Sequence, residues 1–589
     1  MTIYEASELR PVSGPAQVWR RLVEAVWKVE HAFERAKASD RVVDDTRLRI
    51  FLFLVLFVLG FAFMALQAGR AALLGAPAGL AFEAPPPAGA RADLVDRNGA
   101  LLAVDLTHWG LYLDPRQVWD KREVRRGLRT ALPRLDADRL ARALDSERRV
   151  YLLGGLTPAE KERAHDLGLP GVEFEEEARR VYPLGASAAH LIGYADTAGK
   201  GLAGAEKALD GPIHEAAASG KPVALALDLR VQAALQDEVQ RAAETFRAQG
   251  AVGIVTNVHT GEILGMTSWP DYDANAPGAG GAAPMVNHAA ATVYELGSVF
   301  KMFTVAMGLD QGVARSDTTF DVSRPLTIRN ARPIHDHEKG DTTLTLAQVF
   351  THSSNIGAAK LALRAGPERM SDYFHRFGLY AAAPSELAES ARPLAPRQFS
   401  ELTIANMAFG QGISVSPLAL ATGMTAIFDG GEAIPLTIRK LAPGERPRGR
   451  RVIQESTART MLDLMRLNVL VGSGKKADAP GLRVGGKTGS AQKVENGRYG
   501  RNNVSSFAAV FPTDGPIDAD RYIVLITLDS PQATKDTFGF ITAGWNAAPT
   551  AGRVIDRIAP FLGVARMAST PFAPAKAPGA PLDGRGMHD

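Results

Sequence analysis

The chain has 589 residues, with 67 Lys and Arg against 64 Asp and Glu, and no Cys. That length is too great for one hydrophobic core, so two or three folded units are expected. A net charge of +3 gives no electrostatic case for nucleic acid, and the absence of cysteine excludes disulfides, thiolate chemistry and a Cys-ligated metal.

Residues 16–37 place Val18, Leu22, Val26, Val29 and Phe33 at helical spacing among Arg and Glu. Such a stripe suits a helix on a membrane surface, a partner-binding helix or a frayed one. Next comes Ile50 to Gly69, 20 residues without a charge. As a helix this run is about 30 Å long, one hydrocarbon core. Arg35, Lys37, Arg41, Arg47 and Arg49 precede it and only Arg70 follows closely. That asymmetry puts residues 1–49 in the cytoplasm and the chain after 69 outside. A cleaved signal peptide is the alternative, with Ala76-Pro77-Ala78 as a poor cleavage site. The long leader and long apolar run favour a retained anchor. Pro85-Pro86-Pro87 marks a linker over 70–90.

Asn98-Gly99, between the apolar runs of residues 91–103, is a hairpin signal. Arg180-Val181-Tyr182-Pro183, His190 to Gly193 and Gly201 to Glu206 read on composition alone as turn chemistry. Farther on, 223–229 reads as a strand and 232–248 as a helix. Residues 251–258 and 263–267 read as a hairpin about 259–262. Residues 506–511 and 522–527 supply two more strands, and 554–562 a closing helix. The fold expected here is α+β, an antiparallel sheet flanked by helices. Residues 566–589, rich in Ala, Pro and Gly, are expected to be disordered.

Three short motifs in the second half carry chemistry: Ser298-Val299-Phe300-Lys301, Ser353-Ser354-Asn355 and Lys487-Thr488-Gly489. Ser298 opens an apolar run to Leu309 that reads as a buried helix after Gly297. Residues three apart share a helix face, so Lys301 can reach the Ser298 hydroxyl. Serine is a weak nucleophile until a base takes its proton, and a lysine can do so only when burial and a nearby cation keep it neutral. Lys487 is a candidate for that cation. Taken singly, Ser298 and Ser353–Asn355 also read as helix N-caps.

Gly481 to Thr488 also fits the phosphate-cradling G-x-x-x-x-G-K-[ST] pattern. That motif needs an apolar strand before it and a helix after it. Residues 474–480 are polar and broken, and 489–500 lack a helical period. His335-Asp336-His337 is the only hint of a metal, and two loop histidines at i, i+2 are usually surface residues. No cofactor is expected.

In this order the three motifs resemble the active site of penicillin-binding transpeptidases and serine β-lactamases. Residues 91–103, 180–193 and 201–206 resemble the noncatalytic domain of the class B penicillin-binding proteins. The resemblance covers roughly residues 91–563 and implies a monofunctional D,D-transpeptidase of the FtsI division type, in its α-proteobacterial form. The implied organisation is a cytoplasmic tail (1–49), a transmembrane helix (50–69), a linker (70–90), an elongated noncatalytic pedestal (91–225), a serine β-lactamase-like transpeptidase domain (226–565) and a tail (566–589). Ser298 would then be acylated by the D-Ala-D-Ala carbonyl of a peptidoglycan stem peptide, and β-lactams would trap it. Lys301 would be the base, with Ser353 relaying a proton to the leaving amine and Asn355 anchoring Lys301 and the substrate amide. Lys487, Thr488 and Ser490 would hold the substrate carboxylate. The Ser298 and Ser490 N–H groups would form the oxyanion hole, and the Lys487–Gly489–Ser490 segment would pair with substrate as an edge strand. Family members more often carry threonine at Ser490 and proline at Leu296. The implied partners are an FtsW-type glycosyltransferase and other divisome membrane proteins, in the inner membrane at the septum with the catalytic domain in the periplasm. Elongation-type synthesis, a β-lactam sensor and an inactive divisome scaffold are the alternatives. Neither a deacylating base nor a sensor's intracellular domain is visible, and no motif is lost.

Overall fold

The structure, a computed structural model, describes residues 42–74 and 91–567 apart from 330, 338–341 and 496, with isolated positions between 24 and 38. The apolar stripe of 16–37, most of the linker and nearly all of 566–589 lie outside the described residues. Two compact units result, Met1–Pro85 and Pro86–Asp589. In the first, Val42–Leu74 is a single 33-residue helix, on which Phe53, Leu56, Phe57, Leu59, Phe63 and Leu66 are exposed. Its side-chain surroundings are described only for Ile50 and residues 52–67. Among the described residues no helix is long and apolar enough to cross a membrane.

The second unit begins with the expected hairpin. Leu94–Val95 pairs antiparallel with Leu101–Leu113. Asp96 closes the turn by accepting from the amides of Asn98 (2.8 Å) and Ala100 (2.9 Å), while Gly99 takes φ +90°. The long strand continues outward to pair with Val150–Leu156 and Val172–Val181. There Leu111 and Leu113 pack with Val124, Leu128, Leu140 and Leu144 from two short helices as a separate core. At the near end a buried ionic cluster gathers the segments that composition alone reads as turns. Glu206 accepts from Arg91 Nε (2.8 Å) and Arg180 Nε (2.7 Å), and Arg180 also pairs with Asp105 at 3.1 Å.

Five strands form the catalytic sheet, in the order Gly485–Glu495, Arg498–Phe511, Tyr522–Asp529, Gly250–Asn257, Ile263–Trp269, and every neighbouring pair is antiparallel. Both faces are covered, which is why its strands read as nearly unbroken apolar runs. Val524, Ile526 and Leu528 face a core built on the helices Leu229–Thr245 and Ala547–Ile558. Ile523 and Leu525, one residue out of phase, face the core that holds the helix Lys301–Asp310. Gly253 lets the first helix lie close, since a Cβ there would meet Val239 at 2.8 Å. The helices Pro417–Phe428 and Glu455–Val471 fill the other layer. Pro417–Phe428 is buried on all sides, so it lacks the amphipathic stripe by which a helix is recognised in sequence.

Boundaries shift where capping outweighs apolar pattern. The helix expected over 232–248 starts at Leu229 because Asp228 caps it, accepting from the Arg230 amide. Only Val223–Ala224 of the strand expected over 223–229 is a strand. The closing helix runs over Ala547–Ile558, because Asn546 accepts from the Ala547 amide and starts it early.

Glu206 is fully buried between two guanidinium groups. Glu206→Ala removes the carboxylate they share and leaves Arg180 with Asp105 and Arg91 with Asp210 as their remaining anions; the expected cost is about 3 kcal/mol, read as a lowered urea midpoint of the second unit.

Candidate active site

The nucleophile turn is built by glycine. Gly297 takes φ +60°, and Gly297–Phe300 forms a short 3-10 turn before the helix Lys301–Asp310. The predicted run from Ser298 is therefore two helical pieces. The edge strand Gly485–Glu495 crosses this turn at contact distance. A Cβ on Gly297 would sit 2.9 Å from the Ser490 carbonyl oxygen, and one on Gly489 would sit 2.2 Å from that of Leu296. Leu296, where the resemblance expects proline, is fully buried.

Lys301 is fully buried, and its Nζ meets four oxygens. Ser298 Oγ lies at 2.9 Å, Asn355 Oδ1 at 2.8 Å and Ser353 Oγ at 3.1 Å, and the Ser353 carbonyl is in close contact. The Asn355 amide is oriented by its Nδ2, which donates to the His335 carbonyl at 3.1 Å. Ser353 and Asn355 flank the start of the helix Asn355–Ala365, but the capping residue is Ser354, whose hydroxyl accepts from the Gly357 amide. Ser353 itself is left-handed at φ +58°, a conformation costing about 1–2 kcal/mol for a residue with a Cβ.

Lys487 is the second buried amine. Its Nζ donates to Ser353 Oγ at 2.9 Å, so one hydroxyl stands between the two lysines. Burial pushes Lys301 well below an ordinary lysine and the Lys487 charge adds to that, while Asp336 opposes both. Burial pushes Lys487 down to about 7. Of the carboxylate-binding candidates, Thr488 Oγ1 bonds Ser473 Oγ at 2.6 Å, and Ser490 Oγ accepts from the Ala543 amide at 2.9 Å. The Ser490 proton remains available to a ligand.

All eight predicted positions thus converge on one cleft: Ser298, Lys301, Ser353, Asn355, Lys487, Thr488, Gly489 and Ser490. The phosphate-loop alternative fails on topology, because Gly485 to Thr488 lie within an extended strand paired with 507–510. Two contributors escape the sequence motifs. Ser473, which bonds Thr488, stands in an unremarked Gly-Ser-Gly. Asp336, from the histidine pair considered for metal, bonds the start of the Asn355 helix instead. Among the described residues no three His, Asp or Glu side chains could hold a metal ion.

Gly489→Ala is expected to push the edge strand off the nucleophile turn and slow acylation of Ser298 by a fluorescent penicillin about 100-fold, with a lowered melting temperature because the clash is with buried backbone. Acylation at the wild-type rate would show that the close approach is unnecessary.

Comparison with known proteins gives the same picture. Residues 251–543 match the penicillin binding protein transpeptidase domain, and residues 86–211 the penicillin-binding protein dimerisation domain. A Caulobacter vibrioides protein named "Probable peptidoglycan D,D-transpeptidase FtsI" is 56% identical over 567 residues, 95% of this chain and 96% of its own. The Escherichia coli K12 protein named "Peptidoglycan D,D-transpeptidase FtsI" is 31% identical, covering 77% of this chain and 81% of its own. The crystal structure of penicillin binding protein 3 from Mycobacterium tuberculosis, complexed with aztreonam, superposes with TM-score 0.62 at 25% identity, covering 81% of this chain and 96% of that one. With such identity across nearly the full length of both sequences, the chain belongs to the FtsI-type peptidoglycan D,D-transpeptidases, a branch of the penicillin-binding proteins.

Proposed function

We propose that this protein cross-links peptidoglycan stem peptides during septal wall synthesis, through an acyl-enzyme on Ser298 that β-lactams also form. The observation that carries the reading is the set of partners around Lys301 Nζ. A neutral amine has two N–H donors and one lone pair. The Ser353 carbonyl and the Asn355 amide oxygen can only accept, so they take both donors. The lone pair is left for a hydroxyl that can donate, and of the two within reach Ser298 at 2.9 Å lies nearer than Ser353 Oγ at 3.1 Å. Lys301 takes the Ser298 proton as Oγ attacks the penultimate D-alanine carbonyl. The oxyanion faces the Ser298 and Ser490 amides. Ser353, between the two lysines, passes a proton to the departing D-alanine. An amine from a neighbouring stem then attacks the ester, and Ser298 regains its proton.

Lys487, Thr488 and Ser490 hold the substrate carboxylate on the open edge of the sheet. Residues 226–565 form the transpeptidase domain and 91–225 the pedestal, joined by 70–90 to a membrane helix over 50–69, with 1–49 cytoplasmic and 566–589 a tail. The charge asymmetry around 50–69 and the exposed apolar side chains between Phe53 and Leu66 support that placement, with the catalytic domain in the periplasm. A cross-linking enzyme needs glycan strands delivered nearby, and a tethered polymerase of the FtsW type raises their local concentration. Gly60 and Ala62 offer small-residue contacts for such a partner.

Ser298→Ala abolishes covalent penicillin labelling while the fold persists. Labelling of that variant at the wild-type rate would overturn the assignment. Lys301→Ala slows acylation by about 10²–10⁴-fold, whereas Lys487→Ala mainly weakens recognition of the carboxylate.

The acylation rate against pH should be bell-shaped. Lys301 must be neutral, so the rate falls as pH drops through its lowered pKa. Lys487 must be charged to bind the carboxylate, so the rate also falls as pH rises past about 7 in the free enzyme. A flat profile would remove both roles.

Replacing 50–69 by an unrelated apolar span tests the membrane partner. Loss of septal localisation and of septation is expected, and wild-type septation in the chimera would reduce the helix to an anchor.

A further inference from the structure

Residues 322–329 and 331–336 lie as a strap against the helix Asn355–Ala365. Leu326 and Ile334 pair as an antiparallel bridge, with N–O distances of 3.0 and 2.9 Å. Ile334 packs with Ile356, Ala359, Ala405 and Phe409 in a small apolar cluster of its own. The strap delivers Asp336 to the helix N-terminus, where its carboxylate makes three hydrogen bonds. Oδ1 accepts from the amides of Asn355 (2.6 Å) and Ile356 (2.9 Å), and Oδ2 accepts from the Ser354 hydroxyl (2.6 Å). The neighbouring His335 carbonyl holds the Asn355 side chain at 3.1 Å.

Those contacts adjoin the strained position. Ser353 supplies a carbonyl and a hydroxyl to Lys301 from a left-handed conformation, and such a conformation persists only where its surroundings over-determine it. The residues that follow it, 354 to 356, are all tied to one carboxylate. We propose that Asp336 is a positioning residue for acylation, which fixes Ser353 and Asn355 against Lys301 through Ser354 and the first amides of the helix. The inference rests on Lys301 taking the Ser298 proton.

Its charge adds a second effect. Lys301 touches Ser298 on its own turn and Ser353 and Asn355 at the facing helix start, and the charged groups that act on it are Lys487 on the edge strand and Asp336 on the strap. Burial and Lys487 favour the neutral amine, while Asp336 favours the ammonium. Removing the Asp336 charge therefore eases deprotonation of Lys301.

The test measures fluorescent-penicillin acylation of the full chain across pH for wild type, Asp336→Asn and Asp336→Ala. In Asp336→Asn, Oδ1 still accepts from both amides and Nδ2 can donate to Ser354 Oγ, so the geometry stays and the charge goes. The expected result is a near-normal plateau with the acid limb moved to lower pH, raising the acid-to-neutral rate ratio several-fold. Asp336→Ala releases the turn, and acylation falls about ten- to a hundredfold across the range. An alanine variant acylated as fast as wild type, or one that recovers when refolded with no loss of rate, overturns the positioning role, and an asparagine profile that overlays wild type overturns the charge effect. Wild type separates the two levels: Ser298-dependent labelling with an acid limb upholds the Lys301 reading whatever the Asp336 variants do. Absence of that limb removes the reading, and this inference with it.

Discussion

Two lysine amines are buried in one cleft with a single serine hydroxyl between them, and the catalytic half of the molecule is arranged around that fact. Burying an ammonium without a compensating anion is costly, and burying two side by side adds repulsion to desolvation. The least costly resolution is for one amine to lose its proton. Lys301 is the natural loser, since two of its oxygen partners are fixed acceptors that suit the two N–H bonds of a neutral amine. Lys487 has the Ser353 hydroxyl and Thr488 for partners, and a substrate carboxylate arriving at the open edge would restore its charge. The same desolvation that destabilises the empty site thus sets the two amines apart, in line with the proposed roles of one lysine as base and the other as anion receptor.

That arrangement needs the backbone of the edge strand to touch the backbone of the nucleophile turn, and side chains would keep them apart. Gly297 and Gly489 remove the obstruction from opposite sides, each at contact distance from the other's segment. Gly410 completes the seat, because a Cβ on it would meet the Gly297 carbonyl oxygen at 2.1 Å. Three glycines from distant parts of the chain therefore set how closely the edge strand and the Ser298 turn approach.

Much of this was legible in the sequence, and the reason differs from part to part. The three catalytic motifs are local, and each carries its chemistry within four residues, so spacing and order sufficed. The central strands 251–258 and 522–527 were readable because burial on both faces leaves unbroken apolar runs. Pro417–Phe428 was not readable, because a helix buried all round shows no period. The hairpin arms beyond Ala491 were missed because Lys493, Glu495, Arg498 and Arg501 hide their pairing. Asp336 and Ser473 were invisible as contributors for another reason. Each acts through a partner far away in the chain, and nothing in a neighbouring residue marks that partner. The Arg91, Arg180 and Glu206 segments looked like turns because a buried ion pair leaves no periodic trace. It appears only when three strings separated by dozens of residues meet.

An exposed sheet edge normally invites pairing with any extended chain, and Gly485–Glu495 lies at such an edge. The strand changes character along its length. From Lys487 to Ala491 it pairs in regular register with 504–508, and its outer side lies open beside Ser298. Between Gln492 and Val494 the register shifts, and a bulge of this kind bends and twists a strand away from a flat template. There Lys493 is drawn inward to Asp529 at 2.8 Å. Beyond it come Glu495, Arg498 and Arg501, charges that disfavour casual strand addition. The stretch of edge in regular register is thus short, and it ends at the bulge where the charged residues begin.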